Sequence, residues 1–483
     1  MAGEVTRRGY TSTACLVVLA MTGDGLSATQ RAAAAPADLS GFEAAIRDEL
    51  AKVGAPGAAV AVVIGDAVVW AKGFGVASVE TNAAVTPDTL FQIGSVTKAF
   101  TAAAVLAAST QGVVAPDRPV RSYVSGLTPC VGAPTLAQLL SHTGGIIDEP
   151  DEFGPQGEDG LGAYQRTWTS EYCLLPPGRA FSYSNSGYAL AGLALQDAEK
   201  KPFAEVMRAR VLDPLGMTRT TFRPTEAMTW PLAVGHRSDK EGKFTVVRPL
   251  ANDARLWPAG TLYSSASELA RFLVAMMNDG RVNGRQALPA GVATQMRASA
   301  ARVATTGQHY GQGLFLYPAV TSGPLLSAFH GGTMTGYAAQ LALFAEGSGV
   351  VVLTNGDGVN PGRIAEIARQ AGQTLATGKP ASFAAEGSQP APSPGVFLPS
   401  DQALRYVGTY SNPRRFTLEV VRDGDGLTLK RFGRDFPMRY LAPGQFQVGL
   451  PRGGYETIVF GLPDAGPADY LQMNVWALAR VEK

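Results

Sequence analysis

Long alanine-rich apolar runs and short alternating ones divide this chain into regions. The run Phe91–Gly112, FQIGSVTKAFTAAAVLAASTQG, has a polar start, an apolar body and a closing glycine, and predicts a helix from about Ser95 to about Thr110. A second apolar stretch, Tyr188–Leu195, follows the turn signal Pro177-Gly178 and predicts another helix. Further on, AAQLALFAE and VVVLTN read as strands joined by a hairpin at Gly347-Ser348-Gly349. A helix-like stretch from about Gly362 to Ala376 then gives way to GKPASFAAEGSQPAPSPG, whose alanine, proline and serine mark a linker over 379–400. From 401 to 483 the pattern is β throughout. Thr417–Val421 and Leu427–Lys430 flank the hairpin signal Asp423-Gly424-Asp425-Gly426, and YETIVFGL and LQMNVWALARVEK are strand-like. A small antiparallel barrel is the expected result.

Three short segments place chemistry on these elements. In Ser95-Val96-Thr97-Lys98, Ser95 and Lys98 share one face of a first helical turn. A serine hydroxyl needs a nearby base to become a nucleophile, and a helix N-terminus offers N–H donors to an oxyanion. Lys98 can be that base only if burial or positive charge lowers its pKa. In Tyr183-Ser184-Asn185, on a loop entering the second helix, Tyr183 can carry a proton between the serine and a leaving group. Asn185 has both donor and acceptor, enough to hold Lys98 and a substrate amide. In His330-Gly331-Gly332-Thr333, the glycines let a substrate backbone approach a strand, and the N–H of Thr333 faces that of Ser95 across an oxyanion hole. Each segment alone has a plain structural reading: Ser95 as a helix cap, Tyr183 as a packing residue, His330 as a structural histidine. Together, in this order, they predict an enzyme that forms an acyl-serine.

The sequence resembles the penicillin-recognising serine hydrolases: class C β-lactamases, D-alanyl-D-alanine carboxypeptidases, and related esterases and D-amino-acid peptidases. The likeness runs from about Ala45 to about Asn355. It includes Gly54-Ala55-Pro56-Gly57, Leu139-Leu140-Ser141-His142-Thr143-Gly144-Gly145, Pro214-Leu215-Gly216-Met217 and Ala259-Gly260. It implies an α/β fold in which an antiparallel sheet flanked by helices stands beside an all-α region, with the cleft between them. It also implies Ser95 as nucleophile, Lys98 and Tyr183 as the proton-transfer pair, Asn185 as anchor, and His330 as the residue of the third motif. The block holding His142 is a structural signature there. The C-terminal region, opening Tyr406-Val407-Gly408-Thr409-Tyr410, resembles the lipocalin-like domains appended to some members. It either stabilises the catalytic domain or lends a residue to the cleft mouth, for which Arg480 is the candidate carboxylate anchor.

One departure bears on substrate. The β-lactamases and carboxypeptidases usually carry lysine where this chain has His330, and a histidine is mostly uncharged at neutral pH. Loss of a fixed charge for a substrate carboxylate argues against efficient β-lactam hydrolysis and for the esterase and peptidase branches. The expected activity is therefore hydrolysis of small esters, amides or D-residue-containing peptides. A β-lactamase or carboxypeptidase, a penicillin-binding-protein-type thioesterase releasing peptides by cyclisation, and a non-turnover penicillin-binding sensor are the alternatives.

Composition changes this picture little. The 483 residues, 46% hydrophobic and 17% charged, suit a globular protein of two or three domains. With a formal net charge of +1 and no long basic run, nucleic acid is not an expected partner. The partner is a small-molecule or peptide substrate, and oligomeric state stays open. The four histidines form no ligand-spaced cluster, so neither metal nor cofactor is expected. Location is read from the N-terminus. Arg7-Arg8 with Tyr10, then TACLVVLAM and RAAAAPA, resemble a bacterial export signal of the twin-arginine kind over 1–35, leaving a hydrolase domain over 36–378 and no membrane-spanning segment. Its loss leaves Cys130 and Cys173, which an exported protein can pair.

Overall fold

The strand Gly57–Ile64, GAAVAVVI, is apolar at every position and buried along almost its whole length. Successive side chains of a strand point to opposite faces, so such a run must be covered on both. Five helices frame the hydrolase part: α1 (Ser40–Val53), α2 (Thr97–Thr110), α3 (Asn185–Glu199), α4 (Ala266–Met277) and α5 (Gly362–Thr377). Its sheet contains β1 (Gly57–Ile64), β2 (Ala67–Gly75), β3 (Ala301–Arg302), β4 (His309–Tyr310), β5 (Phe315–Leu316), β6 (Leu326–Met334), β7 (Tyr337–Phe344) and β8 (Ser348–Thr354). The order is β2-β1-β8-β7-β6-β5-β4-β3, antiparallel throughout. Ala58, Val60 and Val62 pack with Ile46 of α1 and Ile364 of α5, while Ala59, Ala61 and Val63 join a second core with Leu269 and Leu273 of α4.

This computed structural model describes residues 38–149, 151–317, 326–379, 395–396, 398–450 and 454–481. The expected export signal, and most of the expected linker over 379–400, lie outside the described residues. Both helices and the hairpin read from the pattern are present, with small shifts. The α2 body begins at Thr97 because Gly94–Val96 form a 3₁₀ turn. The hairpin turn is placed by Gly347 at φ 83°, and Ser348 and Gly349 already pair with β7 or β1. Helix α2 is buried on all sides from Thr97 to Ala108, apolar except for Thr97, Lys98 and Thr101, which makes it the axis between the sheet and the helical region.

The helical region is tied by a disulfide between Cys130 and Cys173, 43 residues apart. A crosslink of this span restricts the unfolded chain and should contribute about 4 kcal/mol. The double variant Cys130→Ser/Cys173→Ser is therefore expected to unfold at distinctly lower urea; an unchanged midpoint would count against this.

The C-terminal strands close into an eight-stranded antiparallel barrel: β9 (Gly408–Asn412), β10 (Phe416–Asp423), β11 (Gly426–Arg431), β12 (Arg434–Ala442), β13 (Gln445–Gly449), β14 (Tyr455–Gly461), β15 (Tyr470–Met473) and β16 (Trp476–Arg480). The hairpin read at 423–426 is a two-residue loop, with Asp423 paired to Gly426 and Gly424 at φ 57°, a conformation glycine adopts without strain. Inside, Tyr406 meets Phe446 and Phe460 edge-on at 4.9 and 5.0 Å, so side chains fill the barrel. Arg480 does not reach the cleft. Its guanidinium donates to Val407 O, Ala468 O and Tyr410 Oη within the barrel, so the carboxylate-anchor expectation is corrected.

Candidate active site

The first and third motifs meet through two glycines. Gly94 has φ 52°, and a Cβ there would lie 2.4 Å from Thr333 N; a Cβ on Gly332 would lie 1.9 Å from Ile93 O. The turn before Ser95 and the strand carrying Thr333 are thus in direct backbone contact. Gly331 differs, because the nearest atom to its missing Cβ is Ala339 O at 4.0 Å. Gly331 and Thr333 line the cleft with Ser95, Tyr183, Asn185 and His330. The expectation that both glycines admit substrate is therefore refined: Gly332 is small because the Ser95 turn presses against it. Gly332→Ala should separate the two backbones and slow acylation of Ser95 by about 10²-fold, in the range of losing one oxyanion donor. Labelling kinetics on folded protein check this, and a wild-type rate would refute it.

Lys98 is fully buried beneath Ser95. Its Nζ lies 3.0 Å from Ser95 Oγ, 2.6 Å from Asn185 Oδ1 and 2.7 Å from Ala259 O. Burial lowers its pKa to about 7; Arg415 also lowers it, and Asp148 opposes. Asn185 Oδ1 and Ala259 O can only accept, so a neutral amine that donates to both turns its lone pair toward Ser95.

Burial pushes the Tyr183 phenol well above the ordinary range, with Ser95 beside it opposing, so it is a neutral phenol. Its ring lies 4.2 Å, centroid to centroid, from that of His142. His142 is buried too, its pKa pushed far down by burial and by Lys98; its Nδ1 accepts from Ser184 N at 3.0 Å. Ser184 caps α3, its Oγ accepting from Gly187 N at 2.9 Å and donating to Ile147 O. That cap fixes Asn185 at the first turn of α3, where its side chain reaches Lys98.

His330 lies against the same cleft with both ring nitrogens engaged. Nδ1 is 2.6 Å from Gly331 O and Nε2 is 3.1 Å from Tyr310 Oη. The carbonyl can only accept, which puts the proton on Nδ1 and leaves Nε2 to accept from the phenol. Burial and the Lys98 charge push its pKa down to about 3. At neutral pH the ring adds no positive charge to the cleft.

Several residues here were not read from the sequence. Ala259 O had no signal beyond its place in a recognised block. Tyr310, which orients His330, sits in a two-residue strand with no pattern to mark it. Asp148 is fully buried; its Oδ1 accepts from Asn185 N at 2.8 Å, and its Oδ2 from Trp476 Nε1 at 3.0 Å and from Arg415. Arg415, Val475 and Trp476 belong to the barrel and line the cleft. The barrel's β15–β16 turn is joined to the Tyr183 segment by Tyr183 N donating to Val475 O at 2.8 Å and Ala477 N to Ser182 Oγ at 3.1 Å.

Residues 42–374 match the beta-lactamase family model. The chain belongs to the beta-lactamase family. That membership places it among the serine hydrolases. Penicillin-binding protein 4 of Amycolatopsis lactamdurans is 28% identical over 325 residues, 62% of this chain and 81% of that protein. Protein flp of Staphylococcus aureus is 28% identical over 245 residues, 48% of each, so the match spans about half of that relative. Among solved structures, SurE with D-Leu aligns at TM-score 0.71 and 26% identity, covering 92% of this chain and 99% of that one. The octameric penicillin-binding protein homologue from Pyrococcus abyssi aligns at 0.62 and 27%, covering 92% and 100%. The fold, a beta-lactamase-like α/β part followed by a closed barrel, is that expected from the sequence.

Proposed function

We propose that this beta-lactamase family member is an exported serine hydrolase that acylates and deacylates Ser95 on small esters, amides or D-residue-containing peptides. The observation that carries the reading is the Lys98 amine at 3.0 Å from Ser95 Oγ, with two pure acceptors holding its other side. Neutral Lys98 takes the Ser95 proton as Oγ attacks the carbonyl carbon. The resulting oxyanion lies between the N–H groups of Ser95 and Thr333. Tyr183 then gives its proton to the leaving group as the bond breaks and regains one from the Lys98 ammonium, with Asn185 holding the lysine in place. Water attacks the acyl-serine by the same route in reverse, restoring Ser95 and neutral Lys98.

Two features support the substrate class. His330 is neutral and tied to Tyr310, so the third motif supplies no fixed cation in place of the lysine usual there, and Arg415, which also lines the cleft, is paired with Asp148. A structural neighbour, SurE, is known in complex with D-Leu. A second reading, a penicillin-binding-protein-type thioesterase that releases peptides by cyclisation, draws on the barrel, because Val475 and Trp476 line the cleft. Among the described residues no helix is long and apolar enough to cross a membrane. Export itself rests on the leader read over 1–35.

Intact-mass spectrometry after exposure to a fluorophosphonate, a β-lactam, a p-nitrophenyl ester and a D-amino-acid peptide ester tests the proposal. A Ser95-dependent adduct is expected: with the fluorophosphonate it persists and marks the nucleophile, and with the p-nitrophenyl or peptide ester it clears with release of hydrolysed product. A cyclised product would favour the thioesterase, and an acyl adduct from the esters that never clears would favour a sensor.

A further inference from the structure

The barrel reaches the catalytic cluster through one carboxylate. Asp148 is fully buried in the hydrolase part, yet two of its hydrogen-bond donors, Arg415 and Trp476, come from the barrel. Its other oxygen accepts from Asn185 N, whose side chain holds Lys98 at 2.6 Å. A continuous chain of contacts therefore runs from the turn before β10 and the start of β16, through Asp148 and the first turn of α3, to the lysine beneath Ser95. We propose that Asp148 is a positioning residue through which the barrel, by Arg415 and Trp476, orients Asn185 and balances the charge around Lys98.

The surroundings of Lys98 make this balance unusually exposed to Arg415. Ser95 and Asn185 are uncharged. Tyr183 and Tyr188 are buried phenols whose pKa values burial raises, and His142 and His330 are held neutral by burial and by Lys98 itself. Among these groups, Asp148 favours the ammonium and Arg415 disfavours it. Glu149, next in the chain, is already met by Tyr164 Oη at 2.7 Å and Arg414 at 3.4 Å. On this inference the barrel is part of the active site's electrostatics as well as its wall. It rests on Lys98 acting as the base for Ser95.

The test is the pH profile of Ser95 phosphonylation by a fluorophosphonate, in which Oγ bonds phosphorus and fluoride leaves, measured on the full chain and on Arg415→Met and Asp148→Asn. Arg415→Met leaves the Asp148 charge unbalanced, so the acid limb should move to higher pH by about one unit, the low end of what one close charge does. Asp148→Asn keeps the acceptor for Asn185 N and leaves Arg415 positive, so the limb should move to lower pH. Arg415→Lys, which retains the charge, should bring the limb back toward wild type. Opposite shifts support the proposal, since simple loss of packing would not reverse sign between the two variants. Limbs that stay in place, or shift the same way, overturn it. Should Arg415→Met fail to fold, Asp148→Asn decides alone, and a limb that stays or rises overturns the proposal. Absence of Ser95-dependent labelling in the wild type would instead be failure of the serine hydrolase reading.

Discussion

Ser95→Ala is expected to abolish adduct formation with every probe and to lower turnover by a factor on the order of 10⁵ or more, while the protein stays folded. The magnitude follows from the role: removing a nucleophile that acts in concert with its base costs about as much as removing the whole assembly. Folding should survive because the change deletes one hydroxyl at a partly exposed position and leaves Lys98 its contacts to Asn185 Oδ1 at 2.6 Å and Ala259 O at 2.7 Å. One lost hydrogen bond is worth about 1 kcal/mol, small beside the stability of a domain of this size. The checks are intact mass, turnover of a p-nitrophenyl ester and a thermal melt of the same preparation. Normal turnover by a well-folded Ser95→Ala protein would remove Ser95 from the chemistry, and with it the function proposed for the cleft.

What could be read in the sequence was whatever is local along the chain. Helix α2 announced itself because its apolar run is long, and the Asp423–Gly426 hairpin because its turn demands a glycine at a fixed place. Each of the three motifs is a weak signal alone, and they were legible because they occur together, in one order, each in a suitable element. Arg415 and Asp148 lie 267 residues apart, in different parts of the chain. Nothing in Asn412-Pro413-Arg414-Arg415, which reads as an ordinary barrel turn, indicates that one arginine lies on a buried carboxylate. Arg480 shows the converse. A cation near the end of the last strand looked available to the cleft, but strand alternation and the closure of the barrel direct its guanidinium onto carbonyls at the seam. Ring closure between first and last strands is a long-range property, and no local pattern carries it.

Lys98→Met should remove most activity and at the same time change how stability depends on pH. A general base of this kind contributes about 10²- to 10⁴-fold, so a loss toward the upper end is expected in kcat/KM. In the wild type the rate should fall roughly tenfold per unit as pH drops below about 7, where Lys98 becomes protonated. The stability effect has the opposite sense from a favourable charge pair. In the unfolded chain a lysine holds its proton up to about pH 10.4, whereas the buried Lys98 gives its proton up at about 7. Between these values the unfolded state binds more protons, so stability rises with pH across the window and is lowest near its acid end. Each pH unit there is worth at most about 1.4 kcal/mol, or about one to two degrees in the melting temperature. Methionine has no proton to bind, so the variant should lack this slope, and the difference between wild-type and Lys98→Met melting temperatures should change steadily from pH 7 to pH 10. The tyrosines whose pKa values burial raises act mainly above that window and are common to both proteins. A flat difference across pH 7–10 would mean that Lys98 keeps its proton in the fold, and a fully charged lysine beneath Ser95 cannot take the proton that acylation releases.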